Sequence, residues 1–195
     1  MPGLQLPARA PVLIRNATLE DLSSILQLNA EFEHDLSPAD AARMEYLYEC
    51  ADHRRVLEAG AAVIGFMFAM RDGNAYDGDN YKWFADRYAT FLYVDRIAVA
   101  SEYLRQRLGQ RLYSDLFVSA RRMGVSHVTC EVNVDPPNVV SLSFHEKLGF
   151  RQVGIRATSS MKLVSLQASA LADWVDPFSQ ARPDSVWKAP QSCRP

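Results

Sequence analysis

The chain has almost no net charge. Its 21 basic and 23 acidic side chains leave a formal charge of -2, so there is no general basic field of the kind that attracts nucleic acid. Cysteine is scarce. Cys50, Cys130 and Cys193 are far apart and odd in number, with neither CxxC nor Cys/His metal spacing. That pattern argues against a disulfide framework and a metal centre, and predicts reduced thiols in a cytoplasmic chain. Long apolar runs are missing too, so no membrane association is expected. Residues 1–10 lack the apolar stretch of a signal peptide. No internal repeat recurs, and neither a Walker GKS/GKT nor a GxGxxG motif occurs.

What is present suits a globular domain. Of 195 residues, 48% are hydrophobic and 23% charged, enough for a real core. A loose leader is expected over 1–10 and a folded body over 11–167. From 168 to 195 the composition shifts to Pro177, Pro183, Pro190 and Pro195 with Ser, Gln and Asp. That tail reads as irregular, with Trp174, Phe178 and Trp187 available to dock on the body or on a partner subunit.

The body reads as β-α-α-β-β-β-α-β-α-β-β. A short strand built on Val-Leu-Ile-Arg is expected over 11–17, and Thr18 with Asp21 marks a capping box ahead of a helix over 19–33. Ser37-Pro38 predicts the cap and first turn of a second helix ending near Ala51. A hairpin over 53–59 and 61–70 turns at Ala59-Gly60. Residues 71–90 mix turn formers with Tyr76, Tyr81, Trp83, Phe84 and Tyr88, and a short helix is expected over 80–87. The rings either staple the loop to the body or line a ligand pocket. Strands over 91–99 and 127–134 flank a helix over 109–123, which makes a βαβ unit with parallel strands. A short helix, then strands over 151–156 and 160–166, close the body. The class is α/β (α+β), one mixed sheet with helices on both faces.

Two stretches suggest chemistry. Leu104, Arg105, Arg107, Leu108, Gly109, Gln110 and Arg111 lie between a strand and a helix. A helix start offers free N–H groups and the positive end of the dipole, so this turn suits a pyrophosphate. Alternatively, the arginines form a solvated first turn. The second stretch is Asn138, Ser141, Phe144-His145, Lys147 and Gly149-Phe150. With the strand 94–99, this spacing resembles the GNAT superfamily of acetyltransferases over roughly 13–166. Leu104 and Arg107 depart from its usual phosphate loop, where Gln or Arg and a Gly are common.

The resemblance implies a mostly antiparallel sheet whose central parallel strands splay to admit acetyl-coenzyme A. Backbone groups of Ile97, Ala98 and Val99 would pair with its pantetheine. Residues 104–111 with Asn133, Asn138, Ser141, Phe144 and Lys147 would complete the cofactor site. Asn138 also reads as a helix N-cap. His145 stands where a proton-donating Tyr is common, and reads either as that acid or as a hydrogen-bonded structural His. Strand alternation would put Tyr93, Asp95 and Ile97 on one face, with Arg96 opposite. Tyr93, Asp95 and, on the next strand, Glu131 are the candidate bases; Asp95 reads alternatively as half of a structural ion pair.

The acceptor, a small-molecule, amino-acid or peptide amine, would meet Phe32, Tyr81, Trp83, Phe84 and Tyr88. Scattered acids there would suit a cationic amine or form a solvated face. A homodimer is common for this resemblance. The rival expectations are an acyl-coenzyme A-binding regulatory protein with weak catalysis, and an interaction module using the aromatic tail.

Overall fold

The computed structural model describes residues 11–158, 161–176 and 178. The expected leader, Trp187 and most of the expected tail lie outside them. Among the described residues a single seven-stranded sheet runs in the order β1-β2-β3-β4-β5-β7-β6. The strands are β1 (Val12–Asn16), β2 (His53–Ala59), β3 (Ala62–Arg71), β4 (Phe91–Val99), β5 (His127–Asp135), β6 (Arg151–Ala157) and β7 (Leu163–Ala170). Every neighbouring pair is antiparallel except β4 and β5, which are parallel. The last strand lies later than the expected 160–166. No helix among these residues is long and apolar enough to cross a membrane.

Among the described residues five helices cover both faces: α1 (Leu22–Glu31), α2 (Ala41–Cys50), α3 (Asp79–Ala85), α4 (Leu108–Met123) and α5 (Val139–Lys147). Thr18 and Asp21 form the expected capping box, but on a short 3-10 turn that precedes α1. The cap of α2 is Asp40, which accepts from Arg43 N at 2.8 Å, rather than Ser37. The Ser37 carbonyl is already committed to the buried Arg96, at 2.5 Å, and to Asn29.

Helix α4 drives one half of the core. Leu108, Leu112, Tyr113, Leu116, Phe117 and Ala120 recur at helical spacing and are all buried. Each large apolar side chain so buried stabilises by about 1.5–3 kcal/mol. They pack on Leu92, Val94, Val128 and Cys130 of the central strands. Trp174 stacks on Phe117 with ring centroids 4.8 Å apart, so the chain past β7 docks on this face. Helices α1, α2 and α3 cover the other face, over Phe66, Phe68, Phe91 and Tyr93.

Candidate active site

Two central strands that cannot stay together make the site. Their pairing runs from Phe91↔His127 to Val94↔Cys130 and stops there, although β4 continues to Val99 and β5 to Asp135. The gap opens into a cavity of about 1000 Å³. Ile97, Ala98 and Val99 line it on the β4 side, and Glu131 and Asn133 on the β5 side. A strand edge released from its neighbour presents unpaired N–H and C=O groups, which an extended polar ligand can take up.

The end of the gap near α4 is built for an anion. Arg105 and Arg107 both hold left-handed backbone, with φ of 62° and 59°, and Arg107 leads directly into Leu108 at the helix start. Holding a non-glycine residue there costs about 1 kcal/mol or more. The turn so formed brings successive N–H groups to the positive end of the helix dipole, a concavity that binds phosphate. Leu104, Arg105, Arg107, Leu108 and Gly109 all line the cavity. A Cβ on Gly109 would sit 3.2 Å from Phe144 Cζ, so glycine lets α4 and the Phe144 ring of α5 approach closely without the ring having to shift. Asn138, Ser141 and Phe144 line the same end. Asn138 also caps α5, accepting from Ser141 N at 2.9 Å. Gln110, Arg111 and Lys147 are not part of the lining. Arg111 instead donates to Val12 O at 2.9 Å, tying α4 to β1.

At the inner end of the gap a β-bulge breaks the alternation expected for β4. Phe68 pairs with Arg96 and Ala69 with Val94, so Asp95 is an extra residue. Tyr93 therefore faces the α1–α3 side while Ile97 packs with the α4 side. They do not share a face as strict period-two spacing predicts. The extra residue also turns Arg96 to the same side as Asp95, and its Nε donates to Asp95 Oδ2 at 3.2 Å. Arg96 is thus the partner of Asp95, not excluded from it. Arg96 Nη1 further donates to Asn29 Oδ1 and Ser37 O, both at 2.5 Å, which anchors α1 and the α1–α2 connection.

Two phenol–carboxylate pairs face the cavity. Tyr76 donates to Asp95, and Tyr93 donates to Glu131 Oε2 at 2.6 Å. Glu131 is enclosed by protein yet open to the cavity. Burial first, and the negative charge of Asp95 second, raise its pKa from an ordinary 4.5 to about 7, against the pull of hydrogen bonds from Tyr93 and Asn80. Burial and the same carboxylates push both phenols up, so they remain protonated donors. Asp95 is ion-paired with Arg96, whereas Glu131 has no ion-pair partner among the described residues.

His145 is buried beside the gap. Its Nδ1 lies 2.8 Å from Ser141 O, which only accepts, so the proton sits on Nδ1. Nε2 then accepts from the Tyr113 hydroxyl at 2.6 Å. Burial lowers the His145 pKa, which favours this neutral form. Tyr113 lines the cavity and was legible only as one more core position of α4.

Of the rings expected around an acceptor, Phe32 lines the cavity. Tyr81, Trp83, Phe84 and Tyr88 sit elsewhere. Tyr81 donates to Arg71 O at 2.7 Å, Trp83 packs under Gly154, Phe84 is fully buried, and Tyr88 meets the His127 ring. The cavity wall from this loop is instead Tyr76 to Asn80. Its acids are paired: Asp77 with Arg43 at 2.9 Å and Asp79 with Arg156 at 3.1 Å.

Comparison with known proteins agrees with this geometry. Ard1 from Thermoplasma volcanium superposes with a TM-score of 0.67 at 17% identity, over 82% of this chain and 97% of that one. The ribosomal-protein-S18-alanine N-acetyltransferase from Escherichia coli gives 0.62 at 18%, over 83% and 94%. The NatC complex bound to Gag peptide and CoA gives 0.62 at 16%, over 82% and 98%. No curated protein matches the sequence. The family model "Acetyltransferase (GNAT) family" matches residues 19–150, and with the splayed β4–β5 pair this establishes that the chain belongs to the GNAT acetyltransferase family.

Proposed function

We propose that the protein is an acetyl-coenzyme A-dependent N-acetyltransferase whose acceptor is a primary amine. The observation that carries this is the β4–β5 gap, which joins an N–H-rich helix start to a half-buried carboxylate poised near neutrality. The residues present fit the coenzyme. Arg105, Arg107 and the N–H groups around Gly109 would hold its pyrophosphate, and the freed edge Ile97 to Val99 its pantetheine amides. The structural kinship with a CoA-bound complex supports the same donor. When bound, acetyl-coenzyme A supplies a thioester carbonyl for direct attack by the amine.

The chain's own groups divide the remaining work. Glu131 accepts the proton that the amine must lose, and its pKa near 7 suits that exchange. Tyr93 holds the carboxylate in place at 2.6 Å. Asp95 raises the basicity of Glu131 through its charge, and is itself fixed by Tyr76 and Arg96. His145 positions Tyr113, whose hydroxyl can turn from Nε2 to hydrogen-bond the developing negative charge on sulfur. A phenol held well above its ordinary pKa keeps its proton while doing so.

The test is release of free thiol from acetyl-coenzyme A across an amine panel. Amine-dependent release is expected, with acetyl transferred to nitrogen. Tight binding of acetyl-coenzyme A with no release for any amine would refute the enzymatic reading and leave a coenzyme-binding regulatory protein.

A further inference from the structure

The acceptor side of the cavity carries cations that the chemistry so far leaves without a role. Arg156 and Lys162 come from opposite ends of the β6–β7 connection, and both line the cavity. Lys162 Nζ donates to the carbonyl of His34 at 2.7 Å, and no carboxylate among the described residues is within ion-pair reach of it. Arg156 Nη1 donates to Asn80 Oδ1 at 3.3 Å, and the side chain of Asn80 hydrogen-bonds Glu131. One side-chain amide therefore spans the distance between the candidate base and a guanidinium. The nitrogen and carboxylate of an α-amino acid are separated by a similar span. Asp77, Asp79 and Asp95 each pair with an arginine, Asp79 with Arg156 itself, so among the described residues Lys162 is the cation of this wall left without a carboxylate, and Arg156 shares its charge with Asp79 at 3.1 Å.

A second observation concerns length. The α1–α2 connection is strapped across the cavity to the far strands. Lys162 reaches His34 O, and Asn133 Nδ2 donates to Asp35 O at 3.2 Å. An extended polypeptide threading between that connection and Lys162 and Asn133 would have to break both contacts. A small acceptor would keep them.

From the cations and the strap together we infer that the acceptor is a free α-amino acid, its amine at Glu131 and its carboxylate at Arg156 and Lys162. This rests on the acetyltransferase reading. A carboxylate fits two such donors through charge-assisted hydrogen bonds, and removing its charge forfeits them. The amine would arrive beside a base held near neutrality, and the anionic end would stay at the half-exposed rim.

The experiment measures thiol release with acetyl-coenzyme A and the common α-amino acids, each beside its own carboxamide and a tripeptide with the same N-terminal residue. The best free amino acid should exceed its amide in kcat/KM by about 10- to 100-fold, the loss typical of a charged hydrogen bond. Arg156→Gln and Lys162→Gln should each shrink that ratio by raising KM for the acid. Two variants are used because Arg156 also braces α3, and thermal melts would show whether either has unfolded. Amides or tripeptides turned over as well as free amino acids, or an unchanged ratio in folded variants, would overturn the inference and leave the acetyltransferase reading standing. No thiol release with any amine would overturn both.

Discussion

Replacing Glu131 with glutamine separates the cost of the site from its use. The carboxyl is held at about 7 against an ordinary 4.5. A folded pKa raised above the unfolded value means that the folded state resists ionisation. The penalty is absent below pH 4.5, grows as pH climbs to 7, and is complete above it. Its full size is about 3 kcal/mol, as an order of magnitude. Glu131→Gln keeps the shape and can still accept from Tyr93, but has no charge to bury. Its melting point should exceed the parent's by about 6–12 °C near pH 8.5, and by almost nothing near pH 4.5. Activity should move the other way. The parent's kcat/KM should rise about tenfold per pH unit up to pH 7 and then level, whereas the variant should lose about 10²–10⁴-fold and the inflection with it. Calorimetry at two pH values and a pH–rate profile test both halves. A variant no more stable than the parent at high pH, or one retaining the profile, would refute the assignment of Glu131 as a buried base.

Three further changes probe other parts of the molecule. Gly109→Glu puts a side chain against Phe144 and a negative charge at the phosphate turn; calorimetric titration should show acetyl-coenzyme A affinity reduced by at least about tenfold, and unchanged affinity would misplace the pyrophosphate. Arg107→Gly relieves a left-handed arginine and should alter stability by no more than about 1 kcal/mol, while weakening coenzyme binding and flattening its salt dependence. His53 is buried with both ring nitrogens lacking a hydrogen bond, and burial followed by the charge of Arg55 depresses its pKa from 6.5 to about 3. Because the unfolded chain then takes up the proton first, stability should fall by up to about 1.4 kcal/mol per unit as pH drops from 6.5 toward 3, and His53→Gln should flatten that slope in denaturant titrations.

The sequence revealed what is encoded locally. The capping box at Thr18, the turn at Gly60, the amphipathic stripe of α4 and the spacing from Asn138 to Phe150 each lie within a few residues, and each appears in the structure. What stayed hidden depends on partners far along the chain. The bulge at Asp95 is set by pairing with β3, and no feature of residues 91–99 alone announces it. Tyr113 reads as core because its ring is core; only its contact with His145, 32 residues on, gives the hydroxyl a role. The aromatic loop misled in a similar way. Tyr81 and Phe84 turn inward, Trp83 and Tyr88 are half-buried against Gly154 and His127, and Tyr76 to Asn80 are left at the cavity.

The bulge in β4 has a consequence for how this site can vary. Because Asp95 is the extra residue, Val94 and Arg96 lie opposite consecutive residues of β3 and face opposite sides, as ordinary strand neighbours do. Deleting Asp95 would restore regular pairing and leave Arg96 on Asn29 and Ser37 and Ile97 on the α4 side. It would take away the carboxylate beside Glu131 without exchanging the walls of the cavity. The bulge is thus an acid inserted into an otherwise regular strand, so the charge of the site can change by the length of β4 while the facing of its neighbours stays the same.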